Sequence, residues 1–145
     1  MHWSVPTSIV QCCVLCLLFV VQGCGFFADS SPDQEPSHME LTVLFQDVHR
    51  CSFMSPEIHI VNAPKETTVY EVEVAEKVGG ESVLLGKGSW HEDGTGVIPE
   101  GALTGHYRGP CPPGGSVRHY VFTVSAKKSD SQKPLAVSQF VLDLE

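Results

Sequence analysis

The sequence has few basic residues and no cluster of them. Only nine of its 145 residues are lysine or arginine, against 17 aspartates and glutamates, and the formal net charge is −8. Nucleic-acid binding needs basic side chains that neutralise consecutive phosphates, so this balance argues against a nucleic-acid partner. The length allows one domain with one modest core. An apolar content of 42% excludes a wholly disordered chain.

Long helical patterns are also absent. No stretch of about 12 residues combines the 3.6-residue apolar period of a helix with capping residues. The 13 glycines and ten prolines favour many turns instead. We therefore predict an all-β fold with little helix, arranged as a β-sandwich with Greek-key connections.

Apolar segments with a period of two residues mark the predicted strands. These lie at 41–45, 58–61, 67–75, 82–85, 117–126 and 135–144. The pair Gly79-Gly80 predicts a turn that joins the third and fourth strands as a hairpin. In the fifth strand, Arg118 and Tyr120 share the face of the apolar residues, whereas His119 lies on the opposite face.

The beginning of the chain has the pattern of an export signal. Residues 1–23 contain no Asp, Glu, Lys or Arg, and the apolar run from Ile9 to Val21 is interrupted only by Gln11. This run is shorter than the roughly 20 residues of a membrane-spanning helix, and it fits the hydrophobic region of a secretory signal peptide. A short membrane anchor that is not cleaved is the alternative.

The end of this run, Val21-Gln22-Gly23-Cys24, resembles a bacterial lipobox. That resemblance predicts cleavage before Cys24 and attachment of a diacylglyceryl group to its thiol. Gly25 follows rather than Asp, and by resemblance to Gram-negative lipoproteins this favours the outer membrane. Residues 24–38 would form a flexible tether rich in Ser, Pro and acidic residues, and residues 39–145 the folded domain. Simple secretion is the alternative.

Two separated segments resemble the phosphatidylethanolamine-binding protein (PEBP, or Raf kinase inhibitor-like) family, especially its bacterial branch. The first is SPEIHIVNAP at 55–64, and the second is YRGPCPPG at 107–114, followed by RHYVFTV at 118–124. The resemblance implies a β-sandwich, in agreement with the strand pattern. It also implies relatives that act as kinase and protease inhibitors.

The chain also departs from the family pattern. The family's Asp-Pro-Asp-x-Pro motif is replaced by EKVGG at 76–80, and its Trp-x-His-Trp strand has only a remnant in Trp90-His91. The usual helix before the last strand is missing. When the tyrosines are aligned, Arg118 occupies the family's ligand-facing His position. The resemblance therefore describes a reduced and divergent relative.

The family's pocket binds anions such as phosphate groups, and the resemblance carries a set of ligand-binding residues to this chain. The predicted set is Tyr107, Gly109, Pro110, Pro112, Arg118, His119, Tyr120 and His91. Prolines stiffen the loop, glycines allow close approach of a ligand, and Arg118 could grip an oxyanion in a bidentate fork. The alternative is that the loop is only a rigid corner of the sandwich and Arg118 is a solvated charge.

A disulfide between Cys51 and Cys111 is predicted from the cysteine count. Removal of the signal leaves three of the six cysteines, and lipidation consumes Cys24. An even pair then remains in an oxidising compartment. Two buried free thiols are the alternative.

No arrangement typical of an enzyme is visible. The sequence has no Gly-x-Ser-x-Gly elbow, and the candidate metal ligands His91, Glu92, His106 and His119 lack tight ligand spacing. We therefore expect no catalytic residue, metal or cofactor. The predicted function is an exported, lipid-anchored binding module for a phosphate-bearing small molecule or a lipid headgroup. The alternatives are a protein-interaction or inhibitor lipoprotein of the cell envelope without a small-molecule ligand, and a purely structural envelope lipoprotein.

Overall fold

The computed structural model of the protein describes residues 38–145. The predicted signal segment, the lipidation site at Cys24 and the tether up to residue 37 lie outside the described residues. Within the described part, no helix is long and apolar enough to cross a membrane.

Eight strands and one short 3₁₀ turn make up the regular structure of residues 38–145, which confirms the all-β prediction. In chain order they are β1 (Glu40–Leu44), the 3₁₀ turn (Asp47–His49), β2 (Glu57–Val61), β3 (Val69–Val78), β4 (Glu81–His91), β5 (Val97–Ile98), β6 (Thr104–His106), β7 (Arg118–Lys127) and β8 (Ala136–Leu144).

The strands form two antiparallel sheets, as expected for a sandwich. The smaller sheet has the order β1-β2-β5, and the larger has the order β6-β4-β3-β7-β8. The core lies between them, because fully buried side chains come from both sheets: Ile58 and Ile98 from the smaller, Val72, Phe122 and Val124 from the larger. Each such side chain stabilises the fold by about 1.5–3 kcal/mol relative to an exposed one.

The predicted hairpin between β3 and β4 is confirmed. Its turn contains Gly79 and Gly80, whose φ angles of 56° and 91° lie in the region that favours glycine. Both strands are longer than predicted: β3 continues to Val78 and β4 to His91. The register between them shifts once, between Val74 and Ala75.

The register of the larger sheet confirms the predicted inner face of β7. Tyr120 lies opposite Glu76 on β3 and Leu142 on β8, and Arg118 lies opposite Leu144. This face is apolar along most of its length and becomes polar at the Arg118 end of β7.

A disulfide joins Cys51 and Cys111, with Cα atoms 4.4 Å apart, as predicted. Two backbone hydrogen bonds accompany it. The N–H of Cys51 donates to the Pro110 carbonyl at 2.9 Å, and the N–H of Gly109 donates to the Ser52 carbonyl at 2.8 Å. The loop before β7 is therefore fastened to the segment that follows the 3₁₀ turn.

Candidate functional site

An ion pair stands at the polar end of the inner face. The Nη1 of Arg118 lies 3.3 Å from the Oε1 of Glu76, on the neighbouring strand. The two side chains are 35% and 20% exposed, so the pair is reached by solvent but not surrounded by it. The strand period explains the contact, because Glu76 continues the inward series Tyr70, Val72 and Val74.

Tyr120 lies beside this pair and is 1% exposed. Its hydroxyl is buried and has no hydrogen-bond partner within residues 38–145. Burial and, after it, the Glu76 carboxylate raise the pKa of Tyr120, whereas Arg118, the backbone of Cys111 and Arg50 act to lower it. The charges that act on this hydroxyl are therefore those of Glu76, Arg118 and Arg50, and the backbone of Cys111 is the polar group next to it.

Arg50 is the second arginine of the site. Its Nη1 donates to the Glu145 carbonyl oxygen at 2.6 Å. Its Nε is buried and lies 3.3 Å from Oδ1 of Asp47, but outside hydrogen-bonding geometry. We call Arg50, Glu76, Arg118 and Tyr120 the arginine cluster.

The arginine cluster has the donors that an oxyanion requires. Guanidinium groups bind carboxylates and phosphates through parallel N–H bonds, and a tyrosine hydroxyl adds one further donor. The cluster also contains its own anion, since the Glu76 carboxylate already contacts Arg118. A bound anion would have to replace or share that contact.

The Gly/Pro loop, residues 109–115, lies next to the arginine cluster. Gly109 and Pro110 are buried, and a Cβ on Gly109 would overlap the carbonyl oxygen of His49. Pro112 is half-buried and Cys111 is exposed. In this structure Gly109 and Pro110 therefore act through packing, and the loop presents the Cys111 backbone to Tyr120.

Two predicted site residues lie away from the cluster. His119 is on the outer face of the sheet, where its Nδ1 lies 2.7 Å from the Oδ1 of Asp143. His91 pairs with Val69, whereas His119 pairs with Lys77. At about 3.4 Å per residue, this places His91 about 27 Å along the sheet from the Arg118 end.

Tyr107 belongs to the core between the sheets. It is 3% exposed, and burial raises the pKa of its hydroxyl. Like the Tyr120 hydroxyl, it is buried without a hydrogen-bond partner in the described part of the chain.

A shallow cavity of about 250 Å³ lies elsewhere, on the outer face of the larger sheet. Its charged lining residues are Glu71, Glu73, Lys87 and His106, and Gly88 and Gly105 form part of its floor. The charged side chains are exposed and of both signs. It is separate from the arginine cluster, which is on the other face.

Sequence reasoning missed Glu76 and Arg50. The signal for Glu76 was present, since the alternation of β3 places an acidic residue at the next inward position after Val74. Arg50 offered no such signal, because its contact with Glu145 joins residues 95 positions apart.

Comparison of the sequence with known proteins gives no match: no protein-family profile and no curated protein matches it. Comparison of the structure does give matches. E. coli YbcL, described as a new member of the mammalian PEBP family, matches with a TM-score of 0.58 and 16% identity, over 74% of this chain and 98% of YbcL. The PEBP homolog CT736 from Chlamydia trachomatis matches with a TM-score of 0.56 and 16% identity, over 75% of this chain and 98% of CT736.

These matches define the class of the protein by its fold. The described domain is a PEBP-like β-sandwich, as the two sequence segments predicted. The chain therefore has a PEBP-like fold, with low sequence identity to the two structures that share it.

Proposed function

We propose that the protein is a non-enzymatic binding module that takes an anionic ligand at the arginine cluster. The ligand class is a phosphate-bearing small molecule or a lipid headgroup. The observation that carries the proposal is the buried hydroxyl of Tyr120, which has no partner in good hydrogen-bond geometry within residues 38–145, next to the partly exposed Arg118–Glu76 pair.

An unsatisfied buried polar group costs about 1–3 kcal/mol, and an incoming oxyanion would remove that cost at Tyr120. The buried Nε of Arg50 would gain a partner in the same way. Guanidinium groups suit phosphate because their donors match its geometry. The family name of the structural neighbours refers to phosphatidylethanolamine, a lipid with a phosphate in its headgroup, which agrees with this ligand class.

Calorimetry with inorganic phosphate and with phosphoethanolamine tests the proposal. Loss of a charged hydrogen bond costs about 1.5–3 kcal/mol, so Arg118→Ala should weaken binding by about tenfold or more. Tyr120→Phe should weaken it without unfolding the domain. Arg108→Ala is the matched control, because Arg108 is exposed and is not among the charges that act on Tyr120. Unchanged binding in Arg118→Ala, or no binding by the wild type, would contradict the proposal.

We also propose that the domain is exported and attached to the outer membrane through Cys24. The support is the uncharged apolar segment followed by the lipobox-like tetrad. The exposed disulfide agrees with an oxidising compartment. Metabolic labelling with a radioactive fatty acid should mark the full-length protein, and Cys24→Ala should abolish the label. Cys16→Ala, inside the apolar run, is the matched control. Equal labelling of Cys24→Ala would rule out this attachment.

The alternative function is a protein-interaction or inhibitor role without a small-molecule ligand. The observation in its favour is that Glu76 already neutralises Arg118. The variant Glu76→Gln separates the two functions, because it frees Arg118 without removing any donor of the arginine cluster. Failure of both the wild type and Glu76→Gln to bind phosphate would favour the protein-interaction role.

A further inference from the structure

An apolar row crosses the outer face of the larger sheet. The row consists of Leu84, Ala75, Val121 and Val141, on β4, β3, β7 and β8. Each lies directly opposite the next in the strand register. The residues at its two ends, Leu84 and Val141, are 54% and 61% exposed, whereas Ala75 is half-buried and Val121 is 6% exposed. The exposed apolar surface of the row therefore lies mainly at its two ends. Solvent-facing positions of antiparallel sheets are usually polar, and exposed apolar patches bordered by polar residues mark interaction surfaces.

Polar rows border this apolar row on both sides. On the side of the hairpin turn, the row is Ser82, Lys77, His119 and Asp143. On the other side it is Lys87, Glu73, Thr123 and Gln139. Lys77 donates to Ser82 at 2.5 Å. None of the ion pairs within residues 38–145 involves Glu73 or Lys77.

We propose that this face is the interface of a homodimer in which the two apolar rows pack against each other. A two-fold axis along the row reverses the strand direction of the second copy but keeps each strand over its own counterpart. The row that contains Lys77 then faces the row that contains Glu73 of the other copy. The symmetry creates this Lys–Glu contact twice, as an isologous interface requires.

A second two-fold axis would also keep the apolar rows in contact, but the charges of Lys77 and Glu73 favour the first arrangement. An axis parallel to the strands would place β3 over β7 of the second copy. Lys77 would then face His119, and Glu73 would face Thr123, so the opposite charges would not meet. Complementary charge therefore favours the axis along the row, with the two sheets aligned face to face.

The area of the face predicts a weak dimer. Four strands at about 4.8 Å spacing and about nine residues in length cover roughly 600 Å² on each copy. The total of roughly 1,200 Å² is at the lower limit for specific interfaces. The interface leaves the arginine cluster free, because that cluster is on the inner face.

Sedimentation velocity of the exported domain tests the proposal over about 1–100 µM, the range of weak dimers. The wild type should shift from monomer to dimer with concentration. Glu73→Lys and Lys77→Glu should each be monomeric, because each variant brings like charges together in its own dimer. An equimolar mixture of the two variants should form a heterodimer, because each new charge then faces an opposite one. Val141→Arg should be monomeric in all mixtures.

Lys65→Glu, an exposed charge reversal outside the larger sheet, is the control and should dimerise like the wild type. Circular dichroism and thermal unfolding verify that the charge variants remain folded. A wild type that stays monomeric throughout the concentration range would overturn the proposal. It would do so even if the same face bound a different protein or lipid vesicles. Dimers of both single variants alone, or a mixture that remains monomeric, would overturn it as well.

Discussion

The Nε2 of His49 lies 2.7 Å from the Oε1 of Glu100, although the residues are 51 positions apart. On its other side, Nδ1 accepts the backbone N–H of Gln46 at 2.8 Å, and the residue is 1% exposed. These contacts fix the segment that carries Arg50 and Cys51. His49→Ala removes a buried side chain together with both of its contacts, so we expect a loss of about 2–3 kcal/mol in the free energy of unfolding, measured in urea.

His59 provides the matched control for His49. Its Nε2 contacts the Glu57 carboxylate at 2.6 Å, a similar distance, but its side chain is 44% exposed. Exposed pairs contribute about 1 kcal/mol or less, so His59→Ala should be nearly neutral. Equal losses in the two variants would show that the burial of His49 does not matter.

Replacement of the disulfide should destabilise the domain more than any single buried contact. The cysteines are separated by 60 positions, and the chain-entropy treatment gives about 4 kcal/mol for a loop of this size. The double variant Cys51→Ser/Cys111→Ser should lose about this amount in urea unfolding. Mass spectrometry of the natively exported protein, unreduced and denatured, checks the bond itself: alkylation of both Cys51 and Cys111 would contradict it.

The tyrosines should resist ionisation until the domain unfolds. The chain has three, Tyr70, Tyr107 and Tyr120, all buried, and desolvation raises the pKa of each. A raised folded pKa stabilises the fold below the unfolded pKa of about 10, and this contribution is lost as the pH rises further. Tyrosinate absorbance should therefore appear together with the loss of structure in an alkaline titration. Its appearance near pH 10 in a folded protein would contradict the burial.

Gly109→Ala should be destabilising because its methyl group would overlap the His49 carbonyl oxygen. Moving two backbone segments apart in a packed site costs about 1–3 kcal/mol. Gly114→Ala, in the same loop, is the control, since nothing lies within 4 Å of its added methyl group. Thermal unfolding of the two variants measures the difference, and equal stability would show that the loop is free to shift.

Glu76→Gln should strengthen the binding of phosphate if the arginine cluster is the anion site. The change removes a negative charge that competes for Arg118 without shortening the side chain. Partly exposed ion pairs of this kind are worth about 0.5–1.5 kcal/mol, which corresponds to an increase in affinity of about two- to tenfold. Calorimetry measures the change, and weaker binding would show that Glu76 helps to hold the ligand.

The strands with clear alternation could be predicted from the sequence. The predicted segments 67–75, 117–126 and 135–144 agree with β3, β7 and β8, because period-two apolar patterns determine which side chains enter the core. The inward position of Arg118 and Tyr120 follows from the same alternation. β5 and β6, with two and three residues, are too short to leave such a pattern.

The second half of β4 could not be predicted, because its glycines are needed for close packing against distant segments of the chain. Gly86 and Gly88 resemble strand breakers. In the fold, a Cβ on Gly86 would overlap the backbone of Arg108, and one on Gly88 would lie 2.8 Å from the Cβ of Leu103. The same limit applies to the site: Arg50 reaches the cluster only through tertiary structure.

The central position of the β3–β7 pair has a consequence for how fast the domain folds. The hairpins β3–β4 and β7–β8 join neighbouring segments, but β3 and β7 pair residues as distant as Val69 and Lys127. Closing such a long loop is entropically slow, so the docking of the two hairpins should limit the rate and place refolding in the millisecond-to-second range. Until they dock, the inward edges of both hairpins are unpaired and open to other chains. The newly made protein is therefore most exposed to aggregation in this interval, before its two halves meet.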